Sequence, residues 1–306
     1  MATIKSAKHH WWPESLSQYW KSTDDGFTGW LRTDGTVKRV PPKHLGLITN
    51  GHTLKLGDDP NVPTFWDTSF ESEFDLADAS FPKVVSWLHE AQMPLSPPPG
   101  FPLRSQFVPL ASADEELRLL TECLASLVIR SPRTRNATVL LAEDLRGELD
   151  PKHRHNLIGF NLRGRQRVLA DSLGARGKFV KVWSREREFI FGDGFCHNLT
   201  STVVPYIPRL FVPLTPNLAV LYVRPPQYNV HPKLMALEAD ERMVDELNLA
   251  AHVYAKDAIY FRSQQPPLRD YFCEGRHYEF DGRDNPVDRL IATIPGTRSP
   301  SHIYIA

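Results

Sequence analysis

Leu218-Ala219-Val220-Leu221-Tyr222-Val223 is the longest uninterrupted apolar run in the chain. A strand with one wet face alternates apolar and polar residues, whereas this run contains no polar residue. It therefore predicts a strand that is buried on both faces, in the middle of a sheet that other elements cover. The run is far shorter than the roughly 20 residues of a membrane helix, so no membrane span is expected.

Shorter patterns on either side of this run predict the elements around it. Asp34-Gly35 suits a tight hairpin turn, so residues 27–40 are predicted to form a hairpin. Residues 178–183 and 188–191 predict a second hairpin. Residues 259–262 and 290–294 predict two short strands. Apolar residues at helical spacing predict four further segments, namely residues 70–88 with Pro82 dividing or bending the helix, residues 117–127 after a capping box at Ser112-Ala113-Asp114-Glu115, residues 150–173 interrupted by Gly159 and Gly164, and residues 237–258.

Helices come mainly before strands along the chain, which favours the α+β class over a regular alternation of strands and helices. We therefore predict a helix-rich N-terminal two-thirds packed on a mixed or antiparallel sheet, in a single main domain. Residues 1–262 form that domain, and residues 263–306 form a C-terminal extension packed on it. Residues 93–109 contain six prolines and are interpreted as an internal connector.

The composition excludes several classes of protein. The 306 residues include 36 bases and 36 acids, and this net charge of zero excludes a uniformly basic nucleic-acid binder. With 41% hydrophobic residues, the chain is not a disordered one. The three cysteines lack the spacing of a disulfide framework or a zinc site. The first ten residues contain no apolar segment typical of a secretory signal. A cytoplasmic location without a membrane partner is expected.

The charges are nevertheless unevenly distributed. Residues 58–80 contain seven acids and no base, whereas residues 130–187 contain 14 bases and six acids. Such blocks can form a binding surface, or they can be solvated helix faces that pair within the chain. Both interpretations remain open at the level of sequence.

Two short segments are candidates for chemistry, since phosphate-loop, dinucleotide-binding, zincin and serine-elbow motifs are absent. The first contains His9 and His10, whose imidazoles can ligate a metal or relay a proton near neutral pH. They could equally make hydrogen bonds while the adjacent tryptophans fill a core. The second is Gly192-Asp193-Gly194, which delivers a carboxylate to a predicted strand end. That tripeptide is also common in turns.

Lys8-His9-His10-Trp11-Trp12-Pro13-Glu14-Ser15-Leu16-Ser17-Gln18-Tyr19-Trp20 resembles the opening signature of the domain of unknown function 4238 family. Further segments resemble the family in the same order, namely Trp66-Asp67-Thr68-Ser69-Phe70-Glu71, Arg130-Ser131-Pro132-Arg133, residues 189–195, Phe211-Val212-Pro213-Leu214-Thr215-Pro216 and Glu246-Leu247-Asn248. The resemblance spans residues 8–262. It implies a bacterial, cytosolic protein in which the histidine pair, a glutamate and the strand-end aspartate share a site. Gly192 and Gly194 replace the serine and asparagine usual in the family beside that aspartate.

The first functional hypothesis is a hydrolase, namely a metal-assisted nuclease or other phosphodiesterase. Its catalytic residues are predicted to be His9, His10, Glu71 and Asp193, of which His10 and Asp193 hold a divalent metal ion (Mg²⁺ or Mn²⁺), while Arg130, Arg133, Arg135 and Asn248 bind substrate. Nucleic acid would be the partner.

The alternative hypothesis is an interaction module without catalysis. Its acidic and basic faces would meet each other in the chain, in a homo-oligomer or in another protein. An enzyme acting on a small molecule is a third hypothesis, because tryptophans near a carboxylate can line a pocket.

Overall fold

A computed structural model of the chain describes residues 8–59, 62–91, 102–174, 177–198, 208–224, 231–280 and 284–297. The strands are β1 (Lys8–His10), β2 (Thr28–Leu31), β3 (Val37–Val40), β4 (Leu47–Thr49), β5 (Thr53–Leu54), β6 (Thr68–Ser69), β7 (Val108–Pro109), β8 (Lys178–Trp183), β9 (Phe191–Gly192), β10 (Cys196–His197), β11 (Arg209–Thr215), β12 (Leu218–Val223), β13 (Leu234–Glu238) and β14 (Ile259–Phe261). The α-helices are α1 (Glu14–Ser17), α2 (Asp75–Glu90), α3 (Asp114–Arg130), α4 (Pro132–Arg146), α5 (Pro151–Leu162), α6 (Arg165–Gly174), α7 (Glu241–Tyr254), α8 (Asp270–Cys273) and α9 (Pro286–Thr293). Short 3-10 helices cover Gln18–Trp20, Pro42–His44, Glu71–Phe74 and Leu103–Gln106.

The main sheet has the strand order β10-β11-β12-β8-β13-β7. Strand β12 pairs antiparallel with β11 on one side and with β8 on the other, and all of its residues are buried. Strands β8 and β13 are parallel, so the sheet is mixed. The prediction of a central buried strand at residues 218–223 is confirmed, and so is the α+β class.

A second sheet has the order β3-β2-β14-β9 and contains the predicted hairpin of residues 27–40. The predicted hairpin between residues 178–183 and 188–191 is wrong. Strand β8 pairs with β12 and β13, whereas β9 pairs with β14. After β8 the chain bonds to the β11–β12 turn instead of folding back, because the Ser184 amide donates to the Asn217 carbonyl (3.0 Å) and the Phe189 amide to the Pro216 carbonyl (2.7 Å).

Residues 290–294, predicted as a strand, lie in and just after helix α9. Asn285 caps this helix by accepting a hydrogen bond from the Val287 amide at 3.0 Å, and Pro286 occupies its first turn. Val287, Leu290 and Ile294 then join the main apolar core. This C-terminal segment therefore shares its core with the residues before it.

The other predicted helices are present with changed ends. Helix α2 runs without a break through Pro82, and the long helix expected at residues 150–173 is two helices separated by Gly164, whose φ is +76°. The N-cap of helix α3 is Ala113, one residue after Ser112, at which the predicted capping box begins. Its first turn is closed by the Ala113 amide, which donates to the Glu116 carboxylate at 3.0 Å.

The N-terminal arm packs against the second sheet through aromatic rings. Trp12 stacks on Phe191 with ring centroids 3.9 Å apart, and Trp20 contacts the same ring. One core of buried apolar side chains then joins this arm to α2, α3, α7 and the main sheet. Burial of the tryptophans thereby fixes the position of the histidines beside them.

The proline-rich connector and the C-terminal extension lie partly outside the described residues. Residues 93–101 of the connector are outside them, whereas the end of the connector forms the 3-10 helix Leu103–Gln106 and strand β7, which pairs with β13. Residues 298–306 of the C-terminal extension are also outside them. Among the helices that are described, none combines the length and the apolar character needed to cross a membrane.

The packing of the arm predicts a large loss of stability when Trp12 is removed. Trp12 is fully buried, so Trp12→Ala is expected to lower the free energy of unfolding by about 3–5 kcal/mol, measured by urea denaturation. Trp66→Ala is the matched control, because Trp66 is exposed, and it should change that free energy by less than about 0.5 kcal/mol. Similar losses in the two variants would contradict the assigned packing.

Candidate metal centre

His9, His52 and Glu71 bring three potential metal-ligand atoms within 4.8 Å of one another. His9 Nε2 lies 4.0 Å from Glu71 Oε2, and His52 Nδ1 is hydrogen-bonded to the same oxygen. The two imidazole centroids are 5.1 Å apart. Within the described residues, this is the one group of three histidine, cysteine or acidic side chains close enough to share an ion.

Two short strand pairings create this cluster. Strand β1 pairs with β4, which places His9 opposite Ile48. The chain then turns at Asn50, which has a φ of +54°, and the backbone amide of His52 comes 3.3 Å from His9 Nδ1. Strand β5 pairs with β6, and the Phe70 amide donates to the His52 carbonyl at 2.9 Å. Glu71 follows directly and reaches the imidazoles.

Burial favours the neutral form of both imidazoles, which is the form that ligates metals. His52 has 1% of its side chain exposed, and its burial, together with the positive charges of Arg130 and Arg135, lowers its pKa to about 2. Burial also lowers the pKa of His9 and raises the pKa of Glu71. With 37% of its side chain exposed, Glu71 forms the open side of the cluster.

The second ring nitrogen of His52, Nε2, is a buried atom of the cluster that lacks a hydrogen-bond partner among the described residues. An unsatisfied buried polar atom costs free energy and points to a missing partner. The other ring nitrogen, Nδ1, is the atom that faces Glu71, so the cluster offers Nδ1 as a ligand atom while Nε2 points into the fold.

Arg130 and Arg135, two of the three arginines predicted to bind substrate, instead hydrogen-bond to the backbone beside the histidines of the cluster. The buried Arg130 guanidinium donates to the carbonyl of His10 at 3.3 Å and to Asp78 at 2.6 and 3.0 Å. The Arg135 guanidinium donates to the carbonyl of Gly51 at 2.7 Å. Each contact holds the residue next to a histidine of the cluster. These two side chains therefore position His9 and His52.

Arg133 and Asn248 lie elsewhere and are engaged within the chain. The Arg133 guanidinium stacks over the Tyr254 ring at 4.3 Å and pairs with Glu279. The Asn248 side chain accepts from the Ile190 amide and donates to the Glu188 carbonyl, both at 3.0 Å. Both residues thus connect helices to neighbouring segments.

His10 and Asp193, the predicted metal pair, are not in the three-residue cluster. His10 Nε2 lies 3.2 Å from the carbonyl oxygen of Lys43. The Asp193 carboxylate accepts the amides of Lys256 at 2.7 Å and Asp257 at 2.9 Å, just after helix α7. The structure therefore places Asp193 against the loop that connects α7 to β14, where its carboxylate binds backbone amides.

The glycines beside Asp193 have a packing reason. A Cβ atom on Gly194 would lie 2.1 Å from the carbonyl oxygen of Tyr254, and one on Gly192 would lie 2.6 Å from Ala255 Cβ. Only glycine allows this strand end to approach the end of α7 so closely. The tripeptide is thus explained by backbone contact.

His52 was absent from the sequence-based site. One available signal was the Asn50-Gly51 dipeptide immediately before it, which favours a tight turn and would have placed His52 at the start of a strand. Its proximity to Glu71 depends on a pairing of only two residues, Thr53 with Ser69 and Leu54 with Thr68. So short a pairing leaves no periodic pattern.

Comparisons with protein families, with curated proteins and with solved structures found no match to this chain. The function is therefore inferred from the geometry of the cluster and its surroundings.

The environment of Asp193 predicts a pH-dependent stability difference. Burial raises its pKa to about 7, against the opposing effect of the two backbone amides. Because the folded state favours the protonated acid, stability due to this group is greatest below about pH 4 and is lost as the pH rises to about 7. Asp193→Asn removes this titration. The unfolding free energy of the parent minus that of the variant should therefore decrease between pH 4.5 and 7.5 in urea denaturation.

The slope of that decrease cannot exceed about 1.4 kcal/mol per pH unit for one group. A difference that increases with pH would show that the bonds from Lys256 and Asp257 outweigh burial, and would contradict the prediction.

Proposed function

We propose that this chain is a metal-assisted hydrolase whose divalent ion is held by His9, His52 and Glu71. The observation that carries the proposal is the convergence of these ligand atoms at a buried cluster with one open side. Three protein ligands leave coordination positions for water and substrate, as in catalytic zinc sites. A bound divalent ion lowers the pKa of a water molecule and supplies a nucleophile near neutral pH.

The donor set narrows the choice of metal. Mg²⁺ prefers oxygen ligands, whereas two imidazole nitrogens and a carboxylate suit Mn²⁺, Fe²⁺ or Zn²⁺. Of the two ions expected from the sequence, Mn²⁺ fits this cluster better. Coordination through His9 Nε2 would put the ring proton on Nδ1, so the amide of His52, now 3.3 Å from Nδ1, would have to turn away.

A hydrolase without metal is the second candidate, and the hydrogen bond between His52 Nδ1 and Glu71 favours it. A carboxylate can itself act as general acid or base, and in this pair the partly exposed Glu71 faces solvent while the buried His52 orients it. This arrangement requires no movement of the His52 amide. Metal binding distinguishes the two candidates.

The interaction-module hypothesis requires acidic side chains that are free to bind a partner, but several of these acids are paired within the chain. The acidic and basic blocks meet within the chain at Asp78 and Arg130, and Asp67 pairs with the buried Lys55 at 2.9 Å. These acids are therefore occupied and contribute little to a partner-binding face. The hydrolase proposal uses Glu71, the acid of the block that faces the imidazoles.

Phosphodiesters are the proposed substrate class, and a nuclease is the proposed activity. Membership of the domain of unknown function 4238 family belongs to the same proposal, because His9 and Glu71 come from the segments that resemble it. Arg130 and Arg135 support the cluster from within the fold, so phosphate must be neutralised by other bases. An excess of bases in residues 130–187 supports this substrate class.

The ligand assignment predicts opposite outcomes for adjacent histidines. His9→Ala, His52→Ala and Glu71→Gln are each expected to weaken Mn²⁺ or Zn²⁺ binding by about 100-fold, because the first two remove a nitrogen donor and the third removes the negative charge of the carboxylate. His10→Ala is the matched control and should bind the ion like the parent, since His10 contacts the Lys43 carbonyl. Isothermal titration calorimetry measures binding, and cleavage of labelled RNA and DNA with Mn²⁺ measures activity.

Equal losses of metal binding in His10→Ala and His52→Ala would overturn the assignment. Cleavage by a parent protein that binds no ion would support the metal-free candidate instead. A folded parent that neither binds an ion nor cleaves RNA or DNA would refute the nuclease proposal.

A further inference from the structure

Some of the basic side chains in residues 130–187 are bonded to other groups of the chain, and others, among the residues that the structure describes, are not. Lys152 donates to the carbonyl of Asp58 at 3.1 Å, and Arg154 pairs with Glu143 at 2.9 Å. Together with Arg130 and Arg135, these side chains have internal partners. Their charges are therefore unavailable to a ligand.

Arg163, Arg165 and Arg167 are different, and we refer to them as the arginine turn. All three are exposed. Arg163 and Arg165 form no ion pair with any acid in the described residues, and Arg167, whose side chain is 91% exposed, has only Asp171 at 4.0 Å. Three arginines thus reach solvent within five positions of the chain.

Gly164 makes this arrangement possible. Its φ of +76° breaks the helix, and nothing lies within 4 Å of the position where a Cβ atom would be. Helix α5 ends before it and α6 begins after it, so the three arginines are spread over a turn between two helices rather than along one helix face. An exposed aromatic ring, Phe160 at 56% exposure, lies in the last turn of α5, three residues before Arg163.

Helix α5 and the arginine turn after it are each hydrogen-bonded to a segment that carries a residue of the metal centre. The Gly164 amide donates to the Glu73 carboxylate at 2.7 Å, and Glu73 is two residues from Glu71. Earlier in α5, His155 Nε2 lies 2.7 Å from the carbonyl oxygen of Thr53, the residue after His52. Helix α5 and the turn after it are therefore packed against the two segments that carry His52 and Glu71.

We propose that the arginine turn and Phe160 bind single-stranded nucleic acid. Guanidinium groups match phosphate oxygens and also stack on bases, and an exposed aromatic ring offers a stacking platform for a base. A strand bound there would extend towards His9, His52 and Glu71, and this last step rests on the proposed hydrolase function. Binding itself does not depend on that function.

The acids near the turn limit the charge without cancelling it. Glu73 accepts from the Gly164 amide, Glu122 accepts from the Gln166 side chain at 3.0 Å, and Asp171 faces Arg167 at the edge of the ion-pair range. Within the described residues, none of these acids forms an ion pair with Arg163 or Arg165.

The test is fluorescence anisotropy of the full chain with labelled single-stranded RNA and DNA 20-mers at several salt concentrations. The triple variant R163Q/R165Q/R167Q should weaken binding at least about tenfold at low salt. The slope of log affinity against log salt should become shallower by about 2, since each phosphate contact to a single strand contributes roughly 0.7. R104Q/R185Q/R242Q removes the same charge from other exposed positions and should leave affinity and slope close to those of the parent.

Two single variants separate this inference from the proposed function. Phe160→Ala should weaken binding without changing the salt slope, because stacking involves no phosphate. His52→Ala should retain oligonucleotide binding while it loses metal. A parent that binds the oligonucleotides but never cleaves them would support the binding surface and refute the nuclease.

Three results would overturn the inference. One is a parent that does not bind the oligonucleotides. Another is equal loss of affinity in the two triple variants, which would show a non-specific charge effect. The third is binding to phosphatidylserine vesicles but not to oligonucleotides, with the vesicle binding lost in R163Q/R165Q/R167Q.

Discussion

The buried guanidinium of Arg130 is the constraint on which the site depends. A charge removed from water must be compensated by partners inside the protein. Asp78 on α2 receives two hydrogen bonds, the carbonyl of His10 receives one, and the Phe74 ring lies 4.8 Å from the guanidinium carbon. These partners come from the N-terminal arm, the 3-10 turn and α2, while Arg130 ends α3. Neutralising one charge therefore fixes how these segments meet, and it places His9 beside Glu71.

Arg130 and Arg135 also affect the pKa of His52 in the cluster. Burial lowers the pKa of His52 most strongly, and the positive charges of Arg130 and Arg135 lower it further, while Asp78 opposes them. A charged imidazole would thus be opposed both by desolvation and by its neighbours. Since neither arginine is exposed, they exert this effect without occupying the open side of the site. The cluster combines neutral nitrogen donors with an accessible carboxylate, and this combination is what makes metal ligation chemically reasonable.

Local sequence patterns predicted a strand or turn correctly where its own residues determine its conformation. Residues 218–223 are apolar on both faces, and the Asp34-Gly35 turn, with Gly35 at a φ of +80°, closes its own hairpin. The error at residues 188–191 was in the strand pairing, since β9 pairs with β14, whereas residues 290–294 were misassigned because a short apolar run fits a strand and a helix equally well. Partners distant in sequence decide between the two. For residues 290–294 the apolar core and the Asn285 cap favour the helix. The site was likewise half predicted: His9 and Glu71 stand in recognisable segments, whereas His52 reaches them through pairings too short to leave a pattern.

The charge blocks show why a count along the chain cannot locate a binding surface. Arg130 and Arg135 flank Ser131-Pro132, a tight junction where α3 gives way to α4 inside the fold, so their charges are consumed there. The arginine turn flanks a glycine at a junction on the surface, so its charges stay free. Both junctions are equally basic in sequence. What separates them is the burial of the connecting backbone, because a buried junction must supply partners for every charge that it carries, whereas an exposed junction can leave its charges to a ligand.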